Sequence, residues 1–107
     1  LTDLNLGTAD GRACAPALQA AVEAQMAAQG EYSHVSNGRF KGGWITRHYG
    51  DPENGVHAIQ MELAMRGYLD EAGPWPPVWD APRAARLQPV LRDVLSACLD
   101  FAKGAAQ

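Results

Sequence analysis

Two patterns in this 107-residue chain could do chemistry. Glu62 stands near the end of the run Val56–Leu63, whose alternation puts His57, Ile59, Met61 and Leu63 on one face and Val56, Ala58, Gln60 and Glu62 on the other. A carboxylate at the C-terminal end of a strand, two residues from an amide on the same face, sits where open α/β sheets bind ligands. The same acid would also serve as an ordinary solvated strand terminus. The second pattern is cationic. Between Tyr32 and Gly50 lie Arg39, Lys41 and Arg47, with His34 and His48 and no acid, so this stretch carries +3 while the whole chain carries -3. A local cationic patch on an acidic protein suits a small anionic ligand better than a polymer. It equally suits a solvated loop whose charges are balanced by acids elsewhere.

Metal chemistry finds little support in the spacing. His34, His48 and His57 are separated by 14 and 9 residues, with no HxxE or HxxxH pair, whereas a catalytic zinc takes three protein ligands and one open position. No metal residue is assigned, and His57 fits better as a packed, hydrogen-bonded histidine. Cys14 and Cys98 are far apart and lack a CxxC partner, which points to a reducing, cytoplasmic setting rather than a disulfide scaffold. The acidic balance disfavours nucleic acid. No apolar run approaches the roughly 20 residues that cross a bilayer, so no membrane association is expected. Gly7 and Gly11 are not followed by GK[ST], and nucleotide binding is not expected either.

These side chains need a scaffold, and 107 residues at 47% apolar suffice for one compact core. Leu1–Gly11 reads as a short strand entering a Gly-rich loop. Pro16 then opens a helix carrying Leu18, Val22 and Met26 at spacing four, with Gly30 as its stop. Tyr32–Asn37 reads as a strand, and Asn37-Gly38 and Gly42-Gly43 as turns around Phe40. Trp44–Tyr49, rich in aromatic and β-branched residues, reads as a short strand or extended loop. Gly73–Pro77 is irregular, with Trp75 and Trp79 pinning it to the body. Asp80 caps a last helix whose stripe is Leu87, Leu91, Val94, Leu95, Cys98, Phe101 and Ala102. Pro89 predicts either a kink there or a junction of two helical pieces. The order is that of an α/β fold with at least one parallel crossover.

The run Phe40-Lys41-Gly42-Gly43-Trp44-Ile45-Thr46-Arg47-His48-Tyr49-Gly50, then Pro52, then Gly55–Leu63, resembles the C-terminal part of the N-formylglutamate deformylase (amidohydrolase) family. Asp3–Thr8 with Asp10-Gly11, the Ala-Pro-Ala-Leu helix start, Tyr68–Glu71 and the Ala-Arg-Leu-Gln-Pro-Val-Leu stretch are similar to that family too. The resemblance implies a zinc hydrolase that releases formate from N-formyl-L-glutamate in histidine degradation. It implies part of a zinc-carboxypeptidase-like (phosphorylase/hydrolase-like) mixed sheet flanked by helices. It further implies that residues 1–107 are the C-terminal portion of a single amidohydrolase domain, with the metal-binding N-terminal portion absent. Zinc is then expected in the complete enzyme and not on this chain alone.

On this resemblance Glu62 is the general base and acid of the hydrolysis. The substrate, a small acidic N-acyl amino acid, carries two carboxylates, and a planar guanidinium forks onto a carboxylate, so Arg47 is the expected clamp. Its structural alternative is an ion pair with Asp51 or Glu53. Lys41, Thr46, Asn5 and Tyr68 are further substrate-contact candidates. A non-catalytic anion-binding module and a structural or interaction fragment remain the alternatives. With part of an open sheet missing, self-association through strand edges or the Val56–Leu63 face is expected.

Overall fold

The computed structural model describes residues 1–105 and is a mixed α/β structure. Strand β1 (Leu4–Gly7) is buried along its whole length. It pairs in parallel with β2 (His34–Ser36), Leu4 opposite His34, and antiparallel with β3 (Gln60–Leu63), Asn5 opposite Glu62 and Gly7 opposite Gln60. The parallel crossover between β1 and β2 is helix α1 (Pro16–Ala27), so the expected mixed sheet is present, three strands wide in the order β2-β1-β3. Alternation along β1 sends Leu4 and Leu6 into the core with Leu18, Val22 and Met26 of α1. Burying each such side chain contributes about 1.5–3 kcal/mol. Asn5 and Gly7 face the other way.

Helix α3 (Ala81–Ala105) completes the core through Leu87 and Val94, with Val90, Leu91, Cys98 and Phe101 partly buried beside them. Asp80 caps it as expected, its carboxylate accepting the Arg83 amide at 3.1 Å. The stripe differs from the sequence reading at Leu95, which is 69% exposed, and at Ala102, also exposed, while Val90 packs instead. Pro89 leaves α3 a single helix. Pro89 and Ala85 are both exposed, so the carbonyl deprived of its donor meets water rather than the core. No helix among the described residues is long and apolar enough to cross a membrane.

Four local expectations are corrected. Trp44–Tyr49 is a short helix, α2, not a strand. Its Trp44 and His48 rings stack at 4.1 Å one turn apart, and the Arg47 amide bonds the Gly43 carbonyl at 3.2 Å, so local and tertiary contacts outweigh β propensity. Only Gln60–Leu63 of the expected Val56–Leu63 strand lies in the sheet. Val56 bridges Asp51, the Ala58 amide bonds Ala13, and His57 Nδ1 accepts the Ala15 amide at 3.0 Å, which draws this half onto the β1–α1 loop. Helix α1 ends at Ala27, before Gly30, where the Gln29 side chain bonds the Met26 and Tyr32 carbonyls and accepts the Glu31 and Tyr32 amides. Trp75 is 80% exposed and pins nothing, whereas Val78–Trp79 forms strand β5 against β4 (Leu69–Asp70).

The start of the sheet is tied by charge. Asp3 accepts the Ser33 amide and hydroxyl, both at 3.0 Å, and pairs with Arg66 at 2.8 Å. Burial pushes the Asp3 carboxyl up, but the Ser33 hydrogen bonds and the Arg66 guanidinium outweigh it and hold the carboxyl below its ordinary value. A lowered carboxyl contributes stability above its unfolded pKa, near ~4, and loses it as pH falls through the folded value. Asp3→Asn therefore lowers stability at neutral pH, and its deficit against wild type shrinks in acid. Urea unfolding of the two proteins at neutral pH and near ~pH 3 checks this.

Candidate functional site

The face of the sheet turned away from the core carries Asn5 and Glu62. There the segment Phe40–Gly43 crosses β1 as a strap, its Lys41 carbonyl accepting the Ala9 amide at 2.8 Å. The contact is so close that a Cβ on Gly7 would lie 2.6 Å from the Gly42 nitrogen and the Lys41 carbonyl carbon. Gly42 itself has φ +104, and its Cα faces Thr46, where an added Cβ would meet the Thr46 methyl at 2.9 Å. Gly7 thus permits the approach of the strap to β1, and Gly42 permits its packing on Thr46. Gly43 donates its amide to Gln60 Oε1 at 2.9 Å, fastening the strap to β3 as well.

Glu62 and Asn5 come together. They are directly opposed across β1 and β3, and Asn5 Nδ2 donates to the Glu62 carbonyl at 3.2 Å and to the Thr2 carbonyl at 2.9 Å. The Glu62 carboxylate is exposed and accepts Gln60 Nε2 at 3.0 Å. Gln60 is thus held at its other end by Gly43, and this short relay fixes where the carboxylate points. Glu62 and Asn5 line one cavity of about 190 Å³ with Phe40 and Arg66. Arg66, which the sequence reading did not single out, also lines this cavity and is engaged by Asp3 at 2.8 Å.

Arg47 lies in a different cavity, of about 220 Å³, walled by Ala9, Arg12, Ala13 and Gly50. The strap runs from Phe40, on the wall of the Glu62 cavity, to Gly42, whose carbonyl accepts Arg47 Nη1 at 3.0 Å. Arg47 makes no ion pair with Asp51 or Glu53 among the described residues. Lys41 pairs with Asp10 at 3.2 Å, both exposed. Thr46 is 4% exposed and packs under Gly42, so it braces the strap instead of facing a cavity. Tyr68 is not brought to Glu62; it lines an apolar groove with Trp79, Leu87 and Leu91.

The turn after β1 positions the second cavity. Ala9 and Asp10 adopt φ of +53 and +56, a left-handed conformation costly for residues with a Cβ. Asn37 holds them there: its Oδ1 accepts the Thr8 amide at 2.9 Å and the Asp10 amide at 3.2 Å, and its Nδ2 donates to Thr8 Oγ1 at 2.8 Å. Thr8 is fully buried. Asn37→Ala strands the Thr8 amide and is expected to cost about 2–3 kcal/mol, read as a shift of the denaturant midpoint with unchanged slope. Arg12, also missed by the sequence reading, follows in this turn and donates Nε to the Ala9 carbonyl at 3.0 Å. The available signal was its place just past the C-terminal end of a strand in a parallel crossover.

The three histidines do not converge. His57 is spent on the Ala15 amide and packs edge-on against Phe101 at 4.9 Å, and His48 stacks on Trp44. Among the described residues no group of three His, Cys, Asp or Glu could hold a metal ion. Burial pushes the Cys14 and Cys98 thiols up, so neither is an activated nucleophile.

Comparison with known proteins agrees with the motif that runs through this face. The chain is 52% identical over 103 residues to the N-formylglutamate deformylase of Pseudomonas aeruginosa, and 46% identical over 99 residues to that of Pseudomonas putida. These alignments take in 96% and 92% of this chain but 38% and 36% of the relatives, so the chain spans little more than a third of the curated relatives it matches. The crystal structure of N-formylglutamate amidohydrolase from Ralstonia eutropha JMP134 superposes with a TM-score of 0.72 at 26% identity, over 96% of this chain and 34% of that one. The model of the N-formylglutamate amidohydrolase family matches residues 1–69, which include Asn5, Arg12, the strap, Arg47 and Glu62. On that match, and on the fold that carries it, the chain belongs to the N-formylglutamate amidohydrolase family.

Proposed function

We propose that this chain is the C-terminal portion of a zinc-dependent amidohydrolase of carboxypeptidase-like fold, which hydrolyses N-formyl-L-glutamate to formate and L-glutamate in histidine degradation. The observation that carries the reading is the Glu62 cavity: an exposed carboxylate, oriented by Gln60 and braced through its backbone by Asn5, opens onto a hollow on the sheet face. Zinc bound in the complete enzyme would polarise the formyl carbonyl. The residues described here do not fit a zinc site, since they assemble no three-ligand set, and the steps that follow use only groups of this chain.

Amide hydrolysis needs a base for the attacking water and an acid for the departing amine. Glu62 takes the proton from water as it adds to the formyl carbon and delivers it to the amine nitrogen as the C–N bond breaks. Gln60 keeps the carboxylate aimed at one place through both transfers. Arg47, anchored to the strap through the Gly42 carbonyl, supplies positive charge for the substrate's carboxylates. The test is formate release by the full-length protein from N-formyl-L-glutamate. Formate and glutamate in equal amounts are expected; intact substrate after incubation with the zinc-loaded protein would sink the reading.

A further inference from the structure

We propose that Arg12 joins Arg47 in a two-guanidinium site for the carboxylate of the substrate's side chain, and that this site makes the enzyme select an acidic over a neutral N-formyl amino acid. The inference rests on the deformylase reading above and extends it to a residue outside the Phe40–Leu63 motif. Arg12 and Arg47 come from different elements, the β1–α1 turn and α2, yet wall one cavity whose other sides are Ala9, Ala13 and Gly50. No acid lines it. Neither guanidinium pairs with a carboxylate among the described residues. The acids beside the wall residues are engaged elsewhere, Asp10 by Lys41 at 3.2 Å and Asp51 by Asn54 at 2.8 Å.

Two like charges facing one hollow repel each other, and an anion between them removes that cost. Each arginine is also preorganised. Arg12 is held through Nε on the Ala9 carbonyl, which leaves both of its terminal nitrogens free, and Arg47 is held through Nη1 on the Gly42 carbonyl. A guanidinium has five N–H donors in a fixed fork, so one anchoring bond leaves a pair for a carboxylate. Reach is adequate. Ala9, on the wall of this cavity, is four residues along the chain from Asn5, on the wall of the Glu62 cavity, at most about 14 Å. An arginine side chain and a five-carbon dicarboxylate together cover that span.

The experiment compares N-formyl-L-glutamate with N-formyl-L-glutamine, an isostere whose side chain is neutral, in the full-length enzyme. In Arg12→Gln the ratio of the two kcat/KM values is expected to fall about ten- to a hundredfold, the loss of a charge-assisted hydrogen bond, with the change in KM for the acidic substrate. Arg12→Lys, which keeps the charge and loses the fork, recovers part of the ratio. A ratio that stays within about twofold of wild type in Arg12→Gln overturns the proposal. Calorimetry with glutarate separates this from the deformylase reading. Weaker glutarate binding in Arg12→Gln than in wild type supports the site even if no N-formyl amino acid is hydrolysed, and equal binding overturns it.

Discussion

Glu62→Gln in the full-length enzyme is expected to lower kcat by roughly 10²- to 10⁴-fold, the range for losing general acid and base action. The substitution keeps the size of the side chain and its reach toward Gln60, and removes the basic lone pair and the negative charge. Folding should survive, because Glu62 is exposed and its structural bonds run through its backbone: the pairing with Asn5 in the sheet and the carbonyl held by Asn5 Nδ2. The loss belongs in kcat with little change in zinc content, since the reading makes Glu62 a proton carrier and not a ligand. Steady-state kinetics, metal analysis and the denaturant midpoint of the variant distinguish the outcomes. Wild-type kcat would make Glu62 a solvated strand end.

How much of this was legible in the sequence depends on the range of the interactions responsible. Helix α1 was readable because Pro16 and the four-residue spacing of Leu18, Val22 and Met26 are local signals. The Asp80 cap was readable for the same reason. Helix α2 was not, because six residues are too few to form a helix on propensity alone, and contacts with Gly42 and along its own aromatic face decide it. That single change re-sorted the site. In an extended segment Thr46 and Arg47 would point to opposite faces; on the helix Thr46 turns under the strap and Arg47 toward Arg12.

Glu62 was legible as a candidate because strand alternation and strand ends are sequence patterns. Its partner Asn5 was named without its reason, since a register that sets residues 57 apart side by side is a property of the sheet. Arg12 left only a positional signal, its place just past the end of β1. A lone cation in a turn has no periodicity, and its pairing with Arg47 arises only when the crossover and the strap are both folded. The half of the expected strand from Val56 to Ile59 was misread because alternation reports which side is apolar, not which neighbour supplies hydrogen bonds.

Gly7→Ala tests whether the strap is what organises both cavities. The new Cβ would sit 2.6 Å from the Gly42 nitrogen and the Lys41 carbonyl carbon and 2.9 Å from the Lys41 oxygen. All three are backbone atoms, so no side-chain rotation relieves the clash, and the cost belongs at the upper end of the overpacking range, about 3 kcal/mol. Relief requires the strap to lift, which strains the Ala9–Lys41 and Gly43–Gln60 hydrogen bonds together and moves the Gly42 carbonyl that anchors Arg47. Stability and substrate binding should therefore fall in one variant, the second as a raised KM for N-formyl-L-glutamate. Gly43→Ala is the matched control: its Cβ would meet only Gln60 Oε1, at an ordinary 3.7 Å, and its φ of −91 suits any residue, so stability should stay within about 0.5 kcal/mol of wild type. Denaturant unfolding of the two variants side by side decides the matter. If Gly7→Ala unfolds with Gly43→Ala, the strap does not rest on β1 and the two cavities are not organised by it.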